Sequence, residues 1–182
     1  MAFIKVEDGV PGIRSLALFR PETGQHLYDL AQVLLRGESP LWPGERELIA
    51  AYVSHKNNCV FCSSSHAAAA RCLLGPEKDI VDEVLNDMKH SRISAKMKAL
   101  LNIAGKVQVL GTEVKEEDIV AARKEGADDR TIHDTVLIAA TFSMFNRYVD
   151  GLASFTPTDP FAYEEMGKRM AATGYVLSKQ PS

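Results

Sequence analysis

Between Gly44 and Gly75 the chain carries no glycine or proline, and within that stretch stands Cys59-Val60-Phe61-Cys62-Ser63-Ser64-Ser65-His66, followed by Ala67 to Ala70. Alanine is the best helix former, and with neither breaker present the run reads as helix until Leu74-Gly75. At about 100° per residue, positions 59, 62 and 66 fall within an arc of about 60°. Two thiols and an imidazole therefore share one stripe. The local structure is read as a helix, and a stripe of this kind can transfer electrons in pairs or bind a metal.

The same periodicity continues on both sides. Leu27, Leu30, Ala31, Leu34 and Leu35 make an apolar stripe over residues 24–36, closed by Gly37. After the rigid link Pro40-Leu41-Trp42-Pro43-Gly44, Glu45 to Lys56 resumes helix, and Asn57 or Asn58 is placed to cap the cysteine helix. Pro76 opens a helix to about Lys89, and Ser94 to Leu110 and Lys115 to Lys124 form two more. Asp128 or Asp129 caps a long apolar helix from Arg130 to about Leu152. A last amphipathic helix runs from about Pro160 to Ala172, ahead of a polar end. Apart from a short extended piece at Phe3 to Val6, nothing alternates as a strand would. The expectation is an all-α, single-domain bundle over residues 1–182, with about eight helices on short connections.

Composition narrows the function. A net charge of −3 with no basic block gives no electrostatic support for nucleic acid or an anionic membrane as partner. No apolar stretch reaches a membrane span, and Met1 to Asp8 lacks the apolar core of a signal peptide. Three cysteines in such a chain point to a reducing, cytoplasmic setting, where a close pair is catalytic or metal-binding more often than a structural disulfide.

The thiolate is the reactive form of cysteine, so the question is what stabilises it. Cys59 is expected in the first turn of its helix, where free N–H groups and the helix dipole favour negative charge. A neighbouring thiol can donate to a thiolate, and His66, four residues after Cys62, can relay its proton. Glu47 is the candidate base. On its helix it shares a face with Ala50, Ala51 and Ser54, opposite Leu48, Ile49, Tyr52 and Val53. Small residues allow a second helix to approach closely and bring Glu47 to the cysteine helix; the alternative is a solvated first-turn glutamate.

Three readings of the pair stay open. In the redox reading, Cys62 attacks a hydroperoxide oxygen and Cys59 condenses with the resulting sulfenic acid. In the metal reading, Cys59, Cys62, His66 and Glu47 bind zinc, although ligands from one straight helix converge poorly. In the third, both cysteines are merely small buried residues. Cys72, off the stripe, is expected in the core, and His55 alone of the other histidines lies close to the pair in sequence.

Glu47 followed by Cys59-Val60-Phe61-Cys62-Ser63-Ser64-Ser65-His66 on consecutive helices resembles the alkyl hydroperoxidase D-like group of the carboxymuconolactone decarboxylase superfamily. Phe142-Ser143-Met144-Phe145-Asn146-Arg147-Tyr148-Val149-Asp150 resembles the second signature helix of that group, and the length and extra C-terminal helix resemble its peroxidase-related branch. The resemblance spans about residues 20–155. It implies an all-α homo-oligomer, trimeric or hexameric, that needs no metal or organic cofactor. It implies a thiol peroxidase, with a hydroperoxide substrate and a dithiol or thioredoxin-like reductant. It further implies Cys62 as peroxidatic cysteine, Cys59 as resolving cysteine, and Glu47 and His66 as proton relay. In well-known members a second histidine precedes the second cysteine, whereas here Phe61 does. The decarboxylase branch lacks the cysteine pair, so the resemblance does not extend to decarboxylation. Trp42, Phe61, Phe142 and Phe145 are candidates to line an apolar approach, and Asn146 and Arg147 are expected to pair with Asp150 or a loop.

Overall fold

In a computed structural model, which describes residues 2–177, the chain is all-helical, with nine α-helices and no strand among the described residues. They are α1 (Gly12–Phe19), α2 (Pro21–Arg36), α3 (Pro43–Lys56), α4 (Val60–Leu74), α5 (Asp79–Asp87), α6 (Ala95–Val109), α7 (Glu116–Lys124), α8 (Asp129–Gly151) and α9 (Pro160–Thr173). Short 3-10 turns occupy Gly75–Glu77 and Gly111–Glu113.

Local chemistry explains most boundaries. Pro21 and Pro43 sit at the first helical position, where a missing N–H costs nothing. Ser94 and Asp128 cap α6 and α8 by accepting the N–H groups of Met97 and Thr131. The structure differs from the sequence pattern at four places. Helix α1 was not expected: it is short and follows Pro11, and its Leu16 and Ala17 are buried by packing against α2 and α8. Residues 3–6 form no strand; Phe3 makes a single backbone bond, to the carbonyl of Leu152. Pro76 lies in a 3-10 turn, so α5 begins later, at Asp79. Cys72, expected in the core, is exposed in the last turn of α4, near the exposed Lys168.

Helix α3 is the hub. Leu48, Ile49 and Val53 face a core shared with Leu35, Leu100, Leu101, Ile103, Ile138 and Phe142, while Glu47, Ala50, Ala51 and Ser54 are equally buried. Being buried on both faces, α3 cannot be read as simply amphipathic. Its main neighbour is α4, which in turn is covered by α9. The α4–α9 crossing is close because Gly167 lies on Ala68: a Cβ at Gly167 would stand 2.6 Å from the Ala68 Cβ.

That contact predicts a stability effect. Replacing Gly167 with Leu should destabilise the fold by about 2 kcal/mol, because a packed crossing cannot absorb the added carbons. Gly151→Ala, in a helix with open space around the new methyl, should leave the thermal midpoint unchanged or raise it. Equal midpoints for Gly167→Leu and wild type would show that α9 does not depend on this seat.

Candidate active site

The cysteines sit where α3 hands over to α4. Asn57 closes α3, and Asn58 takes a left-handed φ of 59°, which an asparagine tolerates. The helix then starts at Val60, so Cys59 is the N-cap residue rather than part of the first turn. The turn is pinned on several sides. The N–H of Cys59 donates to the Ser54 carbonyl at 3.0 Å. The buried Asn146 amide donates to the Ser54 hydroxyl at 2.9 Å and accepts from Asn57 at 2.8 Å. Gln108 donates to the Asn57 side-chain oxygen at 2.8 Å. Asn146 therefore holds the turn and does not pair with Asp150. Arg147 is exposed and donates to the carbonyl of Ser143.

Cys59 is fully buried and Cys62 nearly so, in a small apolar cluster with Phe61, Ala68, Val149 and Tyr163. The pair is unbridged and 3.5 Å apart. Contrary to the dipole expectation, the Cys59 thiol is pushed up, first by its hydrogen bond to Cys62, then by burial, with the Asp150 carboxylate adding to the effect. A thiol that donates to a neighbouring sulfur keeps its proton, so two thiols this close do not ionise together.

One turn past Cys62, the His66 Nδ1 lies 2.7 Å from Oε2 of Glu47. The Glu47 carboxylate is completely buried. Its other oxygen accepts from Arg36 Nη2 at 2.6 Å and from the Tyr175 hydroxyl at 2.6 Å. Burial alone would raise the Glu47 carboxyl, but the facing His66, Arg36 and Tyr175 outweigh it and hold it below the ordinary range. Tyr175 is pushed the other way, first by burial and then by the carboxylate it faces, so it stays a neutral donor. An imidazole that gives its Nδ1–H to a carboxylate has Nε2 as its remaining ring nitrogen, and the Glu47 contact fixes the orientation of the His66 ring.

Arg36 and Tyr175 reach the site from afar. Arg36 ends α2 and also donates to the Met170 carbonyl on α9 at 2.9 Å. Tyr175 follows Gly174, whose φ of +67° ends α9 and turns the chain inward; the Tyr175 N–H donates to Gln32 at 2.7 Å. The tyrosine ring lies parallel to His66 with centroids 5.9 Å apart, and Phe142 meets the imidazole edge-on at 4.5 Å. Sequence reasoning missed both residues. An arginine in the last turn of a helix looks like a partner for the helix dipole, and a tyrosine beyond the last helix carries no local pattern.

A cavity of about 510 Å³ opens beside this group, and Phe61, Ser65, His66, Phe142, Phe145 and Tyr175 are in its wall. Cys62 is not in that wall. Phe61 belongs to both the cavity and the thiol cluster, its ring lying over Gly12, where a Cβ would come within 2.0 Å. Of the proposed approach residues, Trp42 falls away: it is 70% exposed at the start of α3 and absent from the cavity. His55 is exposed and does not join the site. Among the described residues no group of three or more His, Cys, Asp or Glu side chains converges as metal ligands would.

Residues 21–106 match the carboxymuconolactone decarboxylase family. The chain is similar to the crystal structure of an uncharacterised peroxidase-related protein from Silicibacter sp. TM1040 at 28% identity and a TM-score of 0.76, covering 85% of this chain and 79% of that one. It is similar also to an uncharacterised peroxidase-related protein from Ralstonia eutropha JMP134, described as an alkylhydroperoxidase AhpD core, at 27% identity and a TM-score of 0.76, covering 87% and 82%. No curated protein matches. The likeness to the alkyl hydroperoxidase D-like, carboxymuconolactone decarboxylase group is thus established, and the matched segment includes Glu47, Cys59, Cys62 and His66. No helix among the described residues is long and apolar enough to cross a membrane.

The buried carboxylate predicts a pH dependence. Glu47 is depressed only when folded, so its contribution to stability is complete above its ordinary value of 4.5 and is lost as pH falls through the lower folded value. Glu47→Gln should cost about 3 kcal/mol at neutral pH, by leaving Arg36 without its buried partner. It should also flatten the decline below pH 4.5 in urea denaturation. Parallel curves for the variant and wild type would mean that the carboxylate is not ionised in the folded protein.

Proposed function

We propose that the protein is a thiol peroxidase that reduces organic hydroperoxides through Cys62 and Cys59. The Cys62 thiolate attacks the terminal peroxide oxygen, the O–O bond breaks, and the alkoxide takes a proton through His66 to leave as an alcohol. Cys62 becomes a sulfenic acid. The Cys59 sulfur then attacks Cys62, giving a disulfide and releasing the sulfenic oxygen as water. An external dithiol or thioredoxin-like protein reduces the disulfide by exchange, returning two electrons and two protons.

The observation that carries this reading is a buried, unbridged thiol pair 3.5 Å apart beside a histidine bound to a buried carboxylate. The hydrogen bond to Cys62 and burial push the Cys59 thiol up, while the Glu47 carboxylate orients His66 one turn further along the same helix. A thiol that keeps its proton can donate to its neighbour's thiolate and later resolve it. Glu47 and His66 supply the proton path, and Tyr175, 3.2 Å from the same imidazole nitrogen, adds a donor that stabilises the carboxylate. The similarity to peroxidase-related structures supports the same class of reaction. In keeping with that group, we take the working form to be a cytoplasmic homo-oligomer, trimeric or hexameric.

Turnover of cumene hydroperoxide with several dithiol donors tests the reading. Wild type should consume peroxide and accumulate the Cys59–Cys62 disulfide when the dithiol is limiting. Cys62→Ser should lose activity by at least a hundredfold, and Cys59→Ser should stop after one equivalent with a sulfenic acid on Cys62. Undiminished turnover by Cys62→Ser would refute the assignment, and stoichiometric zinc in the purified protein would favour a metal site instead.

A further inference from the structure

The cavity beside His66 has an uneven wall. Most of its lining is apolar, with Leu27, Ala31, Phe142, Phe145 and Met170 among its residues, yet Arg14 and Arg169 also line it. No Asp or Glu does. Neither arginine side chain has a hydrogen bond or ion pair with a described residue, although most other arginines of the fold are paired. Tyr28 lines the same cavity, and burial raises its hydroxyl while the charges of both arginines pull it back. That hydroxyl likewise has no partner among the described residues. Two arginines, Arg14 half-buried and Arg169 exposed, and a phenol thus line a mostly apolar wall without a hydrogen-bond partner among the described residues, and His66 and Tyr175 line it too.

We propose that this cavity binds an amphipathic organic acid, with its carboxylate held by Arg14, Arg169 and Tyr28 and its hydrocarbon chain against the apolar lining. The inference rests on the peroxidase reading only for its last step, that the natural substrate is a hydroperoxide of such an acid. Charge complementarity selects the head group: arginines hold carboxylates by paired N–H donors, and a neutral alkyl peroxide would leave both cations without a counter-charge. A volume of about 510 Å³ falls in the range of small-molecule sites and suits a chain of medium length. Bound in this way, the acid is tethered at its head while its peroxide group is presented near His66 and Phe61, the wall residue that also packs in the thiol cluster.

Binding can be measured without chemistry. In Cys62→Ser protein, calorimetric titration should show decanoate binding at least tenfold more tightly than decanol, since charge-assisted bonds to arginine exceed neutral ones. The double variant Arg14→Gln/Arg169→Gln, checked for an unaltered thermal midpoint, should reduce that ratio to near one. In protein with both cysteines, a medium-chain hydroperoxy acid should show a higher kcat/KM than tert-butyl hydroperoxide, and the double variant should lose the advantage through KM rather than kcat. Equal affinity for acid and alcohol, binding of neither, or a preference that survives the double variant would each overturn the proposal. Tight acid binding without any peroxide turnover would leave the ligand site standing and refute the peroxidase reading. Turnover of small hydroperoxides with no acid preference would do the reverse.

Discussion

A carboxylate buried without solvent is tolerated only if donors surround it, and Glu47 draws those donors from three distant parts of the chain. Arg36 comes from the end of α2, His66 from the middle of α4, and Tyr175 from beyond α9. Removing a charge from water costs several kcal/mol, so the arrangement persists only while all partners are in place. The consequence is architectural as well as chemical. Arg36 also holds the Met170 carbonyl, so the group that orients His66 also fastens the end of α9 against α2. Local order at the site and docking of the C-terminal segment are therefore one constraint.

Much of this was legible in the sequence, but unevenly. The period of apolar residues gave the helices because a packed bundle requires a continuous stripe on each, and the small face of α3 pointed to a close neighbour for Glu47. Helix α1 escaped because it spans two turns and depends on tertiary contact for its burial. The start of α4 moved by one residue because Asn58 adopts a left-handed turn, and only the folded turn makes Cys59 the cap. Cys72 looked apolar enough for the core, yet it lies on an exposed side of the last turn of α4. Arg36 and Tyr175 were illegible for a deeper reason. Each is ordinary in its own segment, and their importance arises solely from long-range placement around Glu47.

The position before Cys62 marks this chain off from the well-known pattern of the group it resembles. A histidine there would add a second titratable ring; Phe61 instead packs over Gly12 and against Tyr163, and belongs both to the thiol cluster and to the cavity wall. The proton path proposed above therefore consists of Glu47 and His66, with Tyr175 bonded to both. An apolar ring at this position is in keeping with the organic hydroperoxide proposed as substrate.

In the proposed peroxidase, Glu47 acts through His66 on the protonation of Cys62. This link is measured by the pH dependence of alkylation at Cys62, followed peptide by peptide in wild type, Glu47→Gln and Tyr175→Phe. The profile of Cys62 should move to higher pH in Glu47→Gln and by a smaller amount in Tyr175→Phe, while exposed Cys72 serves as an internal reference. Superimposable Cys62 profiles in all three proteins would contradict the relay and leave Glu47 a purely structural charge.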